Sequence, residues 1–413
     1  MLGWYHDMAK AEKRSFWTCW LGWSLDAMDV QIYSFAMPTL IVLWGMTKGE
    51  AGLIGTSALL ASAFGGWLAG MLADRIGRVR LLQITIAWFS LFTALSALTN
   101  SFGELLVVRM LQGFGFGGEW AAGAVLMGEV VAARHRGKAV GTVQSGWAIG
   151  WGAAALLYAL LFSLLPEDIA WRAMFAVGLA PALLVLFVRR WVEEPKLFVE
   201  SRARVRAGEA RSNGLAIFAP PLLATTALAA VLVTGAQGGY YALAIWLPTY
   251  LKTERGLSVL DTGGYVAVLV IGSWLGFMTS AYLNDLIGRR RNFVLFALGS
   301  VAALAIYLFL PISNALMLWL GAPLGFFSLG VFSGMGPLLT ELYPTAVRGS
   351  GQGFCYNFGR GLGALFPALV GYLSATMPLA QAIGAFAVSA YAVVVVAALA
   401  LPETRGKELG ATG

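Results

Sequence analysis

The sequence predicts an all-α membrane protein whose twelve transmembrane helices form two pseudo-symmetric six-helix bundles. Three observations carry that prediction. Of 413 residues, 59% are hydrophobic and only 12% charged, whereas a soluble protein carries about 25% charged residues. Such an apolar excess is too large for a core alone and calls for many spans of roughly 20 residues. The connections between apolar runs alternate between basic and nearly uncharged, as in a multi-pass chain. The two halves also repeat each other's polar motifs at a near-constant offset, the mark of a duplicated unit.

Taken in order, the apolar runs give spans at 16–44, 51–73, 80–99, 103–131, 138–165, 171–191, 217–250, 261–285, 292–311, 315–342, 348–376 and 379–401. Several exceed the minimum length, which predicts tilt or protrusion into water. Connections after odd spans are short and poor in Lys and Arg. Those after even spans hold Arg75, Arg78 and Arg80, then Arg134, Arg136 and Lys138, then Arg289, Arg290 and Arg291. By the positive-inside rule both termini are cytoplasmic and the chain belongs in a cell inner membrane. No charged n-region, apolar h-region and cleavage site opens the chain, so the first helix is expected in the mature protein. The net charge of +7 is then a matter of topology, not of nucleic-acid binding. Cys19 and Cys355 sit in apolar runs and read as buried thiols. A charged linker at 192–214, with a short surface helix, separates an N-terminal bundle (1–191) from a C-terminal one (215–403), and 404–413 is a cytoplasmic tail.

The repeat aligns LADRIGRVR (Leu72 to Arg80) with LNDLIGRRR (Leu283 to Arg291), so Asp74 matches Asp285 and Arg78 matches Arg289. It aligns GEVVAARHRGKAVG (Gly128 to Gly141) with TELYPTAVRGSGQG (Thr340 to Gly353), so Glu129 matches Glu341 and Arg136 matches Arg348. Parallel repeats of this kind place a substrate site at the bilayer midplane between the halves. They argue against a channel built on one pore loop. An enzyme is excluded too, because the only histidines, His6 and His135, lie in polar connecting segments and no nucleophile–base constellation forms. GFGFGG follows no strand and sits mid-membrane, so it is not a nucleotide loop. No cofactor or metal is expected.

GMLADRIGRVR resembles the motif between helices 2 and 3 of the major facilitator superfamily, and RMLQGFGFGGEW (Arg109 to Trp120) resembles the fourth-helix motif of its proton-coupled members. PETRGKE (Pro402 to Glu408) resembles the tail of sugar and organic-acid porters. LDAMD, GGEWAAGAVLMGEV and YNFGRGLGALFPALVG are most similar to the sialate:proton symporter group, which includes lactate-type permeases and has aromatic-acid and muconate carriers as neighbours. The resemblance implies the major facilitator fold, a monomeric carrier and a latch. Asp74 would cap a neighbouring helix N-terminus, where dipole and free N–H groups favour an anion. Gly70 packs the helix, Gly77 makes the tight turn, and Arg75 and Arg78 bind carboxylates across the halves. Asp285 and Arg289 form the second copy, expected to be weaker because Leu286 and Ala281 replace the first arginine and the packing glycine. Glu129–Arg136 and Glu341–Arg348 are expected as matching gate pairs.

Intramembrane charge is the sharpest signal, since an ionised residue at the bilayer centre costs at least ~2.5–3.5 kcal/mol. Asp26, Asp29, Arg109, Glu119 and Arg360 therefore need reasons. At 1.5 Å per residue, Asp29 lies roughly 20 Å from the start of span 1 and Arg109 roughly 9 Å from the opposite start of span 4. In a core of ~30 Å the two are level, so Asp29, with Asp26 beside it, should communicate with Arg109. Asp26 and Asp29 share a helix face at i,i+3, and two carboxylates so close in a dry place should not both ionise. One of them is then a proton carrier, with the choice between them open against the alternative of a static brace. Glu119, roughly 24 Å down span 4, reads as a second proton stop or as the partner of an arginine nearer the cytoplasm.

Arg360 sits near midplane with no acid in its own span or the next. Its guanidinium suits a substrate carboxylate through two parallel hydrogen bonds. Tyr356 and Asn357 lie one turn before it, while Gln237, Tyr240 and Tyr241 in span 7 and Gln144 in span 5 supply further polar groups. Trp147, Trp151 and Trp246 read as packing or interfacial residues. The function expected is a proton-coupled symporter for a small lactate- or pyruvate-like carboxylate in the lipid bilayer. An aromatic-acid or muconate-type dicarboxylate symporter is the alternative, and a sugar porter a remote one.

Overall fold

The computed structural model of the protein describes residues 3–46, 48–207, 214–257 and 259–409; the linker positions 208–213 and tail positions 410–413 lie outside them. Twelve helical spans follow in order. α1 is Lys10–Trp44, α2 Lys48–Ile76, α3 Arg78–Ser96 and α4 Phe102–Val130. α5 runs as Arg136–Gln144 and Gly146–Leu164, and α6 as Glu167–Val177 and Ala182–Trp191. α7 is Leu223–Thr253, α8 Val259–Ile287 and α9 Arg289–Phe309. α10 runs as Asn314–Gly330, a tighter turn at Val331–Gly334, and Met335–Leu342. α11 is Arg348–Gly363 and Phe366–Leu373, and α12 is Leu379–Ala400. A linker helix, Lys196–Arg206, lies between the six-helix halves.

The expected spans are present, with differences that have local causes. α1 begins at Lys10, six residues ahead of the apolar run, because Glu12 caps its first turn by accepting from the Ala9 N–H at 2.8 Å. α7 begins at Leu223 because Gly214–Phe218 is a separate short turn. The breaks in α6 and α11 precede segments headed by Pro181 and Pro367, which lack the N–H a continuous helix needs. At Ser145 the hydroxyl bonds back to the Thr142 carbonyl at 2.7 Å, offering the backbone an alternative to the helical ladder.

Eight of the described helices are long and apolar enough to cross a membrane by composition alone. The other four, α1, α4, α6 and α11, are broken or carry charge, and three of them build the central site. The outer surface is apolar, with Leu156 75%, Trp319 70% and Val396 69% exposed, which suits contact with lipid rather than water.

Packing in the halves is repeated: α2 lies along α4 as α8 lies along α10. The halves meet along α2–α11 and α5–α8. This contact is possible because the backbones touch. A Cβ on Gly353 would stand 2.8 Å from the Gly66 carbonyl oxygen and 2.9 Å from the Gly70 Cα. Two further glycines, Gly77 (φ 111°) and Gly288 (φ 95°), turn the chain into α3 and α9 in a region closed to L side chains. These turns lie on the face that carries the arginine-rich connections, hereafter the basic face. One continuous hydrophobic core joins both halves near that face. At the far face the N-terminal half keeps a separate core around Ile32, Tyr33, Leu105, Trp171 and Phe175. The molecule is thus closed at its basic face.

Candidate functional site

Five ionisable side chains lie in the middle of the helices, and all are buried. Asp26 is 0% exposed, Asp29 and Glu119 1%, Arg360 2% and Arg109 3%. Asp29 and Arg109 are brought together from α1 and α4, with Arg109 Nη1 3.7 Å from Asp29 Oδ1. Gln112, one turn below Arg109, donates from Nε2 to the other Asp29 oxygen. The guanidinium of Arg109 also lies over the Tyr33 ring at 5.4 Å and near the Phe175 ring at 5.8 Å.

Asp26 faces a different partner. Its carboxyl lies against that of Glu119 on α4, within reach of one hydrogen bond, and Arg360 approaches both electrostatically. Asp26 and Asp29 share one side of α1 and act on each other electrostatically, while each also meets its own partner on α4, Glu119 for Asp26 and Arg109 for Asp29. Glu119 is no partner for an arginine at the basic face. None of the four oxygens of Asp26 and Glu119 receives a hydrogen bond from any N–H or O–H among the described residues. The cluster sets three carboxyls against two guanidiniums, and a net buried charge is costly.

Arg360 forms no ion pair within 4.0 Å among the described residues. Its Nη1 donates to Asn357 Oδ1 at 3.3 Å, and its guanidinium lies over the rings of Phe116 at 4.5 Å and Tyr356 at 5.1 Å. Arg360 has no acid in its own span or the next, and the Asp26–Glu119 pair acts on it electrostatically from the other half. Asn357 is also reassigned. Its amide donates to the Gly117 and Gly353 carbonyls at 3.1 and 3.0 Å, so it ties α11 to α4 and positions Arg360 instead of facing a ligand.

Arg360 forms part of the wall of a cavity between the halves. The rest of the wall is Trp23, Gln144, Trp147, Gln237, Tyr240, Tyr241, Phe277, Leu329, Phe332 and Tyr356. The free space is about 20 Å³, room for one water-sized molecule. Trp23 stands at the centre of a ring cluster, 4.5 Å from Trp120 and 5.1 Å from Trp147. Gln144 Oε1 and Gln237 Nε2 are buried without a partner among the described residues. Gln144, Gln237, Tyr240, Tyr241, Tyr356 and Arg360 were all signalled by polarity within apolar runs. Trp23, Trp147, Phe277, Leu329 and Phe332 were not, because an aromatic or aliphatic side chain looks the same in a core as in a binding wall. Gln112 was missed despite a usable signal, its spacing of i+3 from Arg109.

The basic face holds the second constellation. Asp74 accepts from the N–H groups of Gly349 and Ser350 at 3.0 and 2.8 Å and from the Ser350 hydroxyl at 2.7 Å, all at the N-terminus of α11. Asp285 accepts from Gly137 and Lys138 at 2.9 Å each, at the N-terminus of α5. The second copy thus keeps both backbone contacts but has no counterpart of the Ser350 hydroxyl bond, and the Ala281 methyl packs against Gly141. Arg78 bonds Glu129 at 3.1 Å, and Arg348 of the other half bonds the same carboxylate at 2.6 Å. Arg289 bonds Glu341 at 2.8 Å, and Arg136 of the other half bonds it at 3.0 Å. The expected pairs Glu129–Arg136 and Glu341–Arg348 are therefore exchanged between halves. Arg75 is exposed and makes no ion pair among the described residues. Glu194, after α6, accepts from the backbone N–H groups of Arg78, Val79 and Arg80, and Glu403, after α12, does the same for Arg289 and Arg290.

Comparison with known proteins follows from this geometry. The family described as Major Facilitator Superfamily matches residues 19–367. A probable 4-methylmuconolactone transporter of Cupriavidus pinatubonensis is 44% identical over 98% of this chain and 94% of its own. A cis,cis-muconate transport protein of Acinetobacter baylyi is 30% identical over 88% and 87% respectively. Among solved structures, a proton:xylose symporter superposes with a TM-score of 0.83 at 19% identity, over 97% of this chain and 98% of that one; at that identity the likeness concerns the fold.

Proposed function

We propose that this chain, which belongs to the Major Facilitator Superfamily and is a multi-pass membrane transporter and not an enzyme, carries a small unsaturated or aromatic carboxylic acid together with a proton. The observation that carries the proposal is Arg360, a buried guanidinium without an ion pair among the described residues, in a wall of aromatic rings. Once the cavity, water-sized here, widens as the halves move, a planar acid can stack on Trp23, Trp147 and the tyrosines, with its carboxylate on Arg360. Lactate offers no π-face to those rings. The relatives named for muconate and methylmuconolactone support the same preference over the lactate-like acid.

The coupling follows from charge. With one proton shared between Asp26 and Glu119 the buried cluster is neutral, so an arriving carboxylate adds one negative charge. A second proton on the acid pair restores neutrality and leaves Arg360 to the substrate. Loaded carrier and empty carrier can then both rock across the membrane, whereas anion alone cannot. Asp29, held by Arg109 and Gln112, serves as a brace between α1 and α4. The basic face is cytoplasmic in this reading, and the Asp74, Asp285, Glu129 and Glu341 contacts close it while the substrate enters from the other side.

Uptake into proteoliposomes under an imposed pH gradient tests the proposal. Benzoate, or muconate as its singly charged form, should accumulate when the outside is acidic, and collapse of the gradient should abolish accumulation. Accumulation of lactate in preference to every conjugated acid, or accumulation indifferent to the gradient, would overturn it.

A further inference from the structure

We propose that a second cavity, at the basic end of α8, α9 and α12, binds the phosphate headgroup of an anionic phospholipid in the adjoining leaflet. The cavity, open on one side, offers about 540 Å³ and carries three guanidiniums, Arg290, Arg291 and Arg405, beside a single carboxylate, Glu403. That volume lies within the ~300–1,000 Å³ typical of small-ligand sites.

Glu403 does not neutralise the arginines. It is spent on backbone: its carboxylate accepts from the N–H groups of Arg289, Thr404 and Arg405 at 2.9, 3.0 and 2.9 Å, and from Arg290 at 3.2 Å. Among the described residues no carboxylate lies within 4.0 Å of the three guanidiniums. Arg290 is anchored by donation to the Leu399 carbonyl, which leaves most of its five donors for a ligand. Arg291 and Arg405 are exposed. The result is a pocket with fixed positive charge and free donors, the chemistry that recognises phosphate.

Its apolar edge decides between a lipid and a soluble phosphate. Val294 and Leu399 line the cavity, and Leu286, Leu295 and Leu298 continue from it as exposed leucines. Acyl chains can lie there while the headgroup meets the arginines. The equivalent place in the other half keeps Arg80 and Lys196 beside Glu194, where the C-terminal half has Arg291 and Arg405 beside Glu403, but Val79 stands where α9 has Arg290. The third guanidinium is thus what distinguishes the C-terminal half.

Native mass spectrometry of the purified, delipidated protein titrated with phosphatidylglycerol or phosphatidylcholine reads the binding. At about 1 kcal/mol per arginine, R290Q/R291Q/R405Q should weaken phosphatidylglycerol binding on the order of 100-fold, and the corresponding triple lysine variant should largely restore it. Phosphatidylcholine should bind weakly to all forms, and millimolar inorganic phosphate should not displace the lipid. If the triple variant does not fold, R291Q/R405Q, confined to exposed side chains, should still lower binding at least tenfold. Equal retention of the two lipids, wild-type retention by the glutamine variants, or displacement by inorganic phosphate would each overturn the proposal.

Discussion

Replacing Arg360 with glutamine removes the anion receptor while keeping a polar side chain of similar reach. The guanidinium is 2% exposed, donates to Asn357 at 3.3 Å, and lies over the rings of Phe116 and Tyr356. A substrate carboxylate seated on it gains hydrogen bonds to a charged group of about 1.5–3 kcal/mol each. Removing one partner of a buried pair costs about 3–5 kcal/mol, because the other charge is left without compensation. At 1.4 kcal/mol per decade, R360Q should weaken binding between about 100-fold and a few thousand-fold. R360K keeps the charge but loses the two-pronged geometry, and the loss of one charged hydrogen bond predicts roughly a tenfold defect. Quenching of tryptophan fluorescence in purified protein is a suitable readout, since Trp23 and Trp147 line the same cavity. Thermal unfolding recorded in parallel shows whether each variant is folded. A folded R360Q protein whose dissociation constant lies within threefold of wild type would refute the assignment of Arg360.

Other perturbations separate coupling from gating. D26N and E119Q should each abolish accumulation driven by a pH gradient while preserving counterflow exchange of substrate, which needs no net proton movement; gradient-driven accumulation surviving in the double variant would contradict a proton carried between them. E129Q leaves Arg78 and Arg348 without their shared carboxylate. At about 3–5 kcal/mol for breaking a buried pair, it should shift the population by at least 100-fold toward opening at the basic face, read as longer distances between spin labels on the basic ends of α3 and α9. Burial alone would raise the Glu403 carboxyl, but backbone N–H groups from Arg289, Arg405, Arg290 and Thr404 hold it below the ordinary Glu value. A depressed carboxyl contributes stability above its unfolded value and loses it as pH falls through its folded one. E403Q should therefore be less heat-stable than wild type at neutral pH and equal to it in acid, as followed by melting temperature across pH.

The fold was legible because apolar runs, alternating basic connections and the duplicated motifs are all properties of one dimension. The breaks at Ser145 and Gly363–Phe366 were not, because a back-bonding hydroxyl and Pro367 interrupt the helix without interrupting the apolar run. Counting rise along two helices put Asp29 level with Arg109, and the structure joins them at 3.7 Å. The same count left Glu119 roughly 9 Å nearer the basic face than Asp26, yet the two carboxyls are close enough to interact. Span ends are poor rulers for long tilted helices, and α1 starts six residues before its apolar run. Rotation is a second blind spot. Residues at i,i+3 differ by about 60° around a helix, enough for Asp26 and Asp29 to meet different partners and for Asn357 to turn away from the cavity that Tyr356 and Arg360 line.

The exchanged gate pairs show what a duplicated sequence does and does not determine. Alignment equates Arg78 with Arg289, Glu129 with Glu341 and Arg136 with Arg348, but it is silent on whether a contact stays within a half or crosses to the other. A twofold relation supplies the missing rule: if Glu129 meets Arg348 across the interface, Glu341 must meet Arg136. Both crossings are observed, at 2.6 and 3.0 Å, while Arg78 and Arg289 hold the same carboxylates from within their own halves. Each glutamate is thus clamped between an arginine that moves with it and one that does not. Separating the halves breaks only the crossed bond, and the retained arginine keeps the glutamate from becoming an unpaired buried charge. The opening cost is then that of one contact per half and not of a stranded carboxylate, which is what a gate that must open reversibly requires. Removing the retained partner, as in R78Q, should therefore hinder opening where E129Q promotes it, and spin-label distances on α3 and α9 that lengthen equally in both variants would contradict this division of roles.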